Sequence, residues 1–321
     1  MHCHLDFYDD AKLAATTLNS LGVYPLGMTV DPRDYQHLAS DLAGLVNANV
    51  ALGLHPWWIA EGKCSENELE LFCELTPNVR YIGEIGLDFA PSRVDSKDRQ
   101  IHFLDRMLAA ASTETLATSA HSTSLRSTSS HSSTATTSAY SATTSAHSAC
   151  LGATSSHSST AIATSALSAA TTSAHSTLSD TTADTFAHSK PKKIYSFHSY
   201  NAEEATLDLI EKYELATNAA VILHWYAGSH EQLVRAVNLG CYFSVNDKML
   251  RSKRTHEYLK CIPKQKLLLE TDLPVQGTSA HVANAQAQSL EKCVAAIAEI
   301  LGADYTELAK IVACNSAHIL I

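Results

Sequence analysis

Basic residues are scarce. The chain of 321 residues carries 23 Lys and Arg against 33 Asp and Glu, a net charge of −10. That deficit excludes a broad basic face of the kind that grips nucleic acid non-specifically. It leaves room for a small phosphoester held by metal ions. Long apolar runs are missing too: no stretch reaches the roughly eighteen residues a membrane span needs, so no contact with a membrane is expected. The first residues, Met1-His2-Cys3-His4-Leu5-Asp6-Phe7, lack a basic segment followed by an apolar one, so no signal peptide is expected. None of the eight cysteines forms a C-x-x-C pair. In a long, otherwise ordinary chain they read as reduced thiols of a cytoplasmic protein.

Large apolar side chains are nearly absent from one segment, residues 112–189, which is dominated by Ser, Thr and Ala. It repeats internally. Thr-Ser-Ala-His-Ser begins at Thr118, Thr144 and Thr172, and Thr-Ser-Ser-His-Ser-Ser-Thr at Thr128 and Thr154, a spacing of about 26 residues. Such a composition cannot offset its ordering entropy and is expected to be disordered. Its six histidines ride on the repeat rather than form a defined site. The remainder, 1–111 and 190–321, is about 240 residues, near the ~250 of a single (β/α)8 barrel.

That remainder alternates between short β-like runs and amphipathic helices. Strands are expected at 2–7, 23–30, 50–54, 79–86, 193–198, 220–225, 241–245 and 266–271. Helices are expected at 10–21, 34–45, 66–75, 97–111, 203–213, 230–239, 252–261 and 285–301, with a short tail helix at 305–313. Ser65 with Glu68 and Ser229 with Gln232 fit capping boxes, and Asn201 can cap the helix after the fifth strand. Eight βα units predict an α/β fold, a parallel sheet closed into a TIM barrel. The insertion then falls between helix 4 and strand 5, on the face opposite the C-terminal strand ends where barrels carry their chemistry.

Metal-capable residues recur at those strand ends. His2 and His4 lie two apart in an extended run, so both share one face. Glu84 sits at the end of the apolar run Val79-Arg80-Tyr81-Ile82, where a carboxylate is costly unless paired or metal-bound. His198 ends Ile194-Tyr195-Ser196-Phe197, His224 ends Val221-Ile222-Leu223, and Asp272 follows Leu267-Leu268-Leu269-Glu270-Thr271. Each alone has an ordinary structural explanation: a core histidine, a turn acid or a helix cap. Together, on strands one, four, five, six and eight, they predict one metal site at one rim.

In these residues the chain resembles the TatD-type DNase family of the metal-dependent hydrolase (amidohydrolase) superfamily. The resemblance rests on His2-Cys3-His4-Leu5-Asp6, Gly53-Leu54-His55-Pro56, Gly83-Glu84-Ile85-Gly86-Leu87-Asp88, the two strand-end histidines, and Glu270-Thr271-Asp272-Leu273-Pro274, with Asn315 near the end. It covers everything outside the repeat. It implies two divalent metal ions, zinc, manganese, magnesium or similar. His2, His4 and Asp272 would hold one, Glu84 would bridge, and His198 and His224 would hold the other. A metal-activated hydroxide would then hydrolyse a phosphodiester, with Asp272 and Glu84 as catalytic residues. His55 would face the substrate phosphate; on a purely structural reading it starts a helix before Pro56.

Two departures touch the substrate pocket. Tyr200 stands where the family often has arginine, and the sixth-strand motif reads His224-Trp225-Tyr226-Ala227-Gly228. Tyr200 and Trp225 are therefore expected to bind substrate, and DNA is not the only one to weigh. The expected partner is a phosphoester or nucleic-acid substrate, a small molecule being the alternative, with no obligate protein partner. An amide or lactone hydrolase with the same metals, or a non-catalytic barrel whose repeat mediates interaction, are the competing readings.

Overall fold

The computed structural model describes residues 2–124, 193–275 and 277–320. Most of the repeat expected to be disordered, 112–189, lies outside the described residues. Elements are numbered in chain order among those described.

Eight parallel strands make up the frame. Strands β1 (His2–Cys3), β2 (Leu26–Met28) and β3 (Asn49–Ala51) pair in that order. Strands β4 (Tyr81–Asp88), β5 (Lys193–Tyr200), β6 (Ala219–His224), β7 (Tyr242–Val245) and β8 (Leu267–Leu269) form a second run. The two runs are joined at both edges. Between β3 and β4, Leu52 N–H donates to Tyr81 O at 2.9 Å and Gly83 N–H to Leu52 O at 2.8 Å. Between β8 and β1, Thr271 N–H reaches His2 O at 3.3 Å and His4 N–H reaches Leu273 O at 3.0 Å. The sheet has no open edge, and the fold is a (β/α)8 barrel.

The helices fall between the strands as expected. Both capping boxes form, at Ser65 and at Ser229. Asn201 does not cap. It takes a left-handed backbone, φ 53°, and Ala202 occupies the cap position without a side-chain bond. The turn out of β5 is sharp enough to need a residue tolerant of positive φ, and asparagine is one of the few. The helix that the purely structural reading of His55 starts before Pro56 is present as α3 (Pro56–Ala60), with His55 at its cap. The helix that opens at Lys97 runs to Ser124, beyond the expected 111.

The barrel is plugged from below by the last helix, α11 (Tyr305–Leu320). Ile319 and Leu320 pack among Met28, Ile222 and Leu268 at the N-terminal end of the strands. Asn315 pins this helix by donating to Lys264 O and Leu267 O, each at 2.8 Å. With apolar side chains packed at the bottom, the polar cluster faces the C-terminal rim. At the entry to β5, Lys193 donates to Thr76 O and Val79 O. The insertion thus rejoins the barrel at the opposite end of β5 from His198.

Candidate metal centre

Glycines set the approach of the strands that carry the site. A Cβ on Gly53 would lie 1.7 Å from Thr29 O and 2.7 Å from Glu84 N; one on Gly86 would lie 2.0 Å from His198 O. Both positions exclude any larger residue, which accounts for the glycines flanking His55 and Glu84 in sequence. The tight fit delivers Glu84, 2 % exposed, to the barrel axis.

Glu84 is the hub. Its Oε2 lies 3.5 Å from His2 Nε2 and 3.4 Å from His4 Nε2. Its Oε1 lies 3.0 Å from His55 Nε2, 3.1 Å from His198 Nδ1 and 2.7 Å from His224 Nε2. Asp272 Oδ1 closes the first side at 3.5 Å from His2 Nε2 and 3.4 Å from His4 Nε2. The structure therefore brings together His2, His4, Glu84, His198, His224 and Asp272. His4 has already left the strand (φ −100°, ψ 82°) yet still points with His2. Asp272 does not end β8, which stops at Leu269; it stands in the following turn with φ 53°. Trp225, after β6, has φ 42°. Left-handed backbone at non-glycine residues costs free energy and concentrates at functional sites.

The electrostatics follow from the burial. Burial works to raise the Glu84 carboxyl, but the facing imidazoles of His55 and His224 prevail and hold it well below the usual range. Burial opposes charge on His4, yet the facing carboxylates of Asp272 and Glu84 raise it to about 10. His224, buried but facing Glu84 and Glu270, is raised well above the ordinary histidine value. His55 goes the other way: desolvation prevails over Glu84 and lowers it to about 4. It is a neutral ring whose Nδ1 accepts from Trp57 N–H at 3.1 Å. The proton is then on Nε2, which donates to Glu84. His55 both caps α3 and faces the cluster, and in this tautomer it has no lone pair free for a metal.

A divalent ion fits the residues present. Ligand atoms roughly 2.1 Å from a tetrahedral ion sit about 3.4 Å from one another. His2, His4, Glu84 and Asp272 show that separation, 3.4 to 3.5 Å. It is too long for good hydrogen bonds, and His2 Nε2 is buried with no hydrogen-bond partner among the described residues. On the other side His198 Nδ1 and His224 Nε2 lie 3.3 Å apart, both against Glu84 Oε1.

Three supporting residues escaped the sequence reading. Asp88 accepts from Trp57 Nε1–H and lies 3.2 Å from His198 Nε2. Glu270, 1 % exposed, takes Ser244 Oγ–H, Asn246 Nδ2–H and Trp225 N–H, and lies 3.7 Å from His224 Nδ1. Ser196 Oγ lies 3.1 Å from His2 Nδ1. Asp88 and Ser196 each steady the far nitrogen of an imidazole, as outer-shell groups of metal sites do, while Glu270 faces His224 as a charge. A signal for Asp88 existed: four residues after Glu84 in a strand, it shares that residue's face. A cleft of about 710 Å³ opens over the cluster, and His55, Tyr200 and Trp225 all line it.

A closed parallel barrel with a nest of imidazoles and carboxylates at its C-terminal rim defines a class, the TIM barrels with a candidate metal centre at the strand ends. Within it, the chain matches the family model described as TatD related DNase over residues 1–177 and 185–320, and belongs to that family. It is 35% identical over 77 residues to a deoxyribonuclease Tat-D of Schizosaccharomyces pombe, 24% of this chain and 25% of that protein. It is 25% identical over 119 residues to deoxyribonuclease TATDN3 of Homo sapiens, 37% of this chain and 42% of that one. The matched stretch thus spans about a quarter to two fifths of the length of these curated relatives. The fold is similar to that of YJJV, a TatD homologue from Escherichia coli K12. The TM-score is 0.63 and the identity 18%, with 100% of this chain and 96% of that one covered. A hydrolase TatD family protein from Entamoeba histolytica gives a TM-score of 0.57 and 15% identity, covering 100% and 97%. The described cysteines are all free, and no described helix is long and apolar enough to cross a membrane.

Proposed function

We propose that the protein is a phosphodiesterase of the deoxyribonuclease type, using two divalent ions at the barrel rim. The observation that carries this reading is the 3.4 to 3.5 Å spacing of His2, His4, Glu84 and Asp272, a coordination spacing rather than a hydrogen-bonding one. His2, His4 and Asp272 hold one ion, His198 and His224 the other, and Glu84 belongs to both sets. Mixed imidazole and carboxylate donors suit zinc or manganese better than magnesium, which prefers an oxygen-richer shell.

When bound, such ions supply Lewis acidity: they polarise the phosphoryl group and ease loss of a proton from water. The chain supplies the rest. Asp272, 20 % exposed in its side chain, is the most exposed of the three carboxylates lining the cleft and takes the proton of the attacking water. His55, neutral and donating from Nε2, holds Glu84 in place and faces the substrate. Trp225 and Tyr200 form the cleft wall against which a flat base can lie. The free thiols accord with the reducing cytoplasm expected from the sequence.

The test is elemental analysis of the purified chain beside turnover of single-stranded DNA, a generic phosphodiester and a lactone. About two equivalents of metal with metal-dependent diester cleavage are expected. Lactone turnover alone would move the protein to the amide or lactone hydrolases, and metal-free, inactive protein would sink the enzyme reading.

A further inference from the structure

The cleft wall carries three carboxylates, Glu84, Asp88 and Asp272, and a single Lys or Arg side chain among its lining residues, Arg93. Arg93 is therefore the one guanidinium or ammonium group that the lining offers to a polyanionic substrate beside the cluster.

Arg93 is held in a particular way. Its guanidinium lies 4.3 Å from the centre of the Trp57 ring. The cation–π contact holds the group against the ring face. Trp57 is itself tied down, since its indole N–H donates to Asp88. Among the described residues the carboxylate that Arg93 pairs with is Asp88, whose Oδ2 lies 3.6 Å from Nη1, beyond hydrogen-bond distance. Asp88 is already engaged: Oδ2 faces His198 Nε2 at 3.2 Å, and Oδ1 accepts from Ala90 N–H at 2.8 Å. The guanidinium is thus oriented, 22 % exposed and unsaturated in hydrogen bonds among the described residues.

Its distance from the chemistry defines its target. Arg93 is three contacts from the bridging carboxylate, through Asp88 and His198. It stands beside the cluster, with Asp88 and His198 between its guanidinium and the bridging carboxylate. We propose that Arg93 is a specificity residue that binds a second phosphate, adjacent to the one that reacts. The substrate class is then a strand with phosphates on successive units, recognised as a nucleoside 3′,5′-bisphosphate, rather than an isolated diester. The planar fork is suited to two-point contact with phosphate oxygens. This inference rests on the phosphodiesterase reading.

The experiment compares affinities of the full chain for thymidine 3′,5′-bisphosphate and thymidine 5′-monophosphate by calorimetry in Mn²⁺, for the wild type, Arg93→Gln and Arg93→Lys. A charge-assisted bond should give the wild type about a tenfold or greater preference for the bisphosphate. Arg93→Gln should lose that preference while monophosphate binding shifts less than about twofold, and Arg93→Lys should keep part of it. Equal weakening of both ligands, or no preference in the wild type, overturns the assignment. Wild-type cleavage of a simple diester is measured beside it. A bisphosphate preference that vanishes in Arg93→Gln, in a protein that cleaves no diester, leaves the phosphate site standing and removes the hydrolase reading.

Discussion

Replacing Glu84 by Gln should empty the metal centre while sparing the barrel. The substitution conserves volume and keeps one carbonyl oxygen, but the two ends of the amide are not equivalent here. On the Oε1 side it meets His55 Nε2, which carries a proton, and two further imidazoles at 2.7 and 3.1 Å. An NH₂ group there would face a donor, so the carbonyl must take that side. The NH₂ then points at His2, His4 and Asp272, where it repels a cation and offers no lone pair. The first site is lost outright and the second keeps only a neutral ligand. In the wild type, metal at a hundredfold excess over Kd adds about 2.7 kcal/mol per site. For a domain of this size each kcal/mol is worth roughly 2–4 °C, so one site alone should raise the melting temperature by roughly 5–11 °C. Scanning calorimetry across a Mn²⁺ titration should show that rise in the wild type and at most a small part of it in Glu84→Gln. Far-UV circular dichroism should be unchanged and diester turnover gone. A variant that keeps two equivalents of metal and the full rise would refute the bridging role.

Four other outcomes follow from the same coordinates. Asp272→Asn should lower kcat by at least about 100-fold, the usual worth of a positioned proton acceptor, with the fold intact by circular dichroism. Asn315→Ala removes the two bonds holding α11 to Lys264 and Leu267; unfolding in urea should show a loss of about 1–3 kcal/mol, with the metal content of the folded protein unaltered. Asp31 caps α2 (Pro32–Asp41): burial raises its carboxyl, but the Arg33 guanidinium and backbone N–H outweigh this and hold it below its ordinary value. A depressed folded value adds stability above the unfolded pKa and loses it as pH falls. The gap between wild type and Asp31→Ala, about 1 kcal/mol near neutrality, should therefore close below about pH 4 in urea melts; a gap that widens in acid would contradict the assignment. Joining Ser124 to Lys193 through a short Gly/Ser linker should leave metal-dependent turnover in place, because β5 is entered at the end remote from His198; lost turnover in a folded deletion would place the insertion in the site.

Part of the convergence at the rim was readable in sequence because His198 and His224 each end an apolar run. His224 ends β6, and a period of two along that strand is enough to aim it; Glu84 stands in the middle of β4, beside a register shift between Ile82 and Ile85. The same rule worked for His2 and His4 for a partly different reason: only His2 is in the strand, and it is the extended turn after it that keeps His4 alongside. It misplaced Asp272, since three leucines make a strand that stops at Leu269, and the acid is brought back to the rim by a left-handed turn that no hydrophobic pattern encodes. Asn201 shows the converse: its type suits both a cap and a positive φ, and only the packing of β5 against α6 (Glu203–Lys212) decides between them.

What stayed hidden is what depends on two distant segments meeting. Glu270 was visible as an acid after three leucines, but its partners Ser244, Asn246 and the Trp225 amide come from the β6 and β7 ends, and only the closed ring makes them neighbours. Arg93 has no periodic signature at all. It lies in the loop after β4, and its meaning arises from Trp57 beneath it and Asp88 beside it, both fixed by other elements. The asymmetry has a physical basis. Ligands that must converge on one point are constrained by strand geometry and leave a pattern, whereas groups that meet a substrate sit on loops, where many sequences reach the same place. The metal chemistry of such a barrel is therefore more legible than its choice of substrate, and the Arg93–Trp57 pair is where that choice is open to measurement.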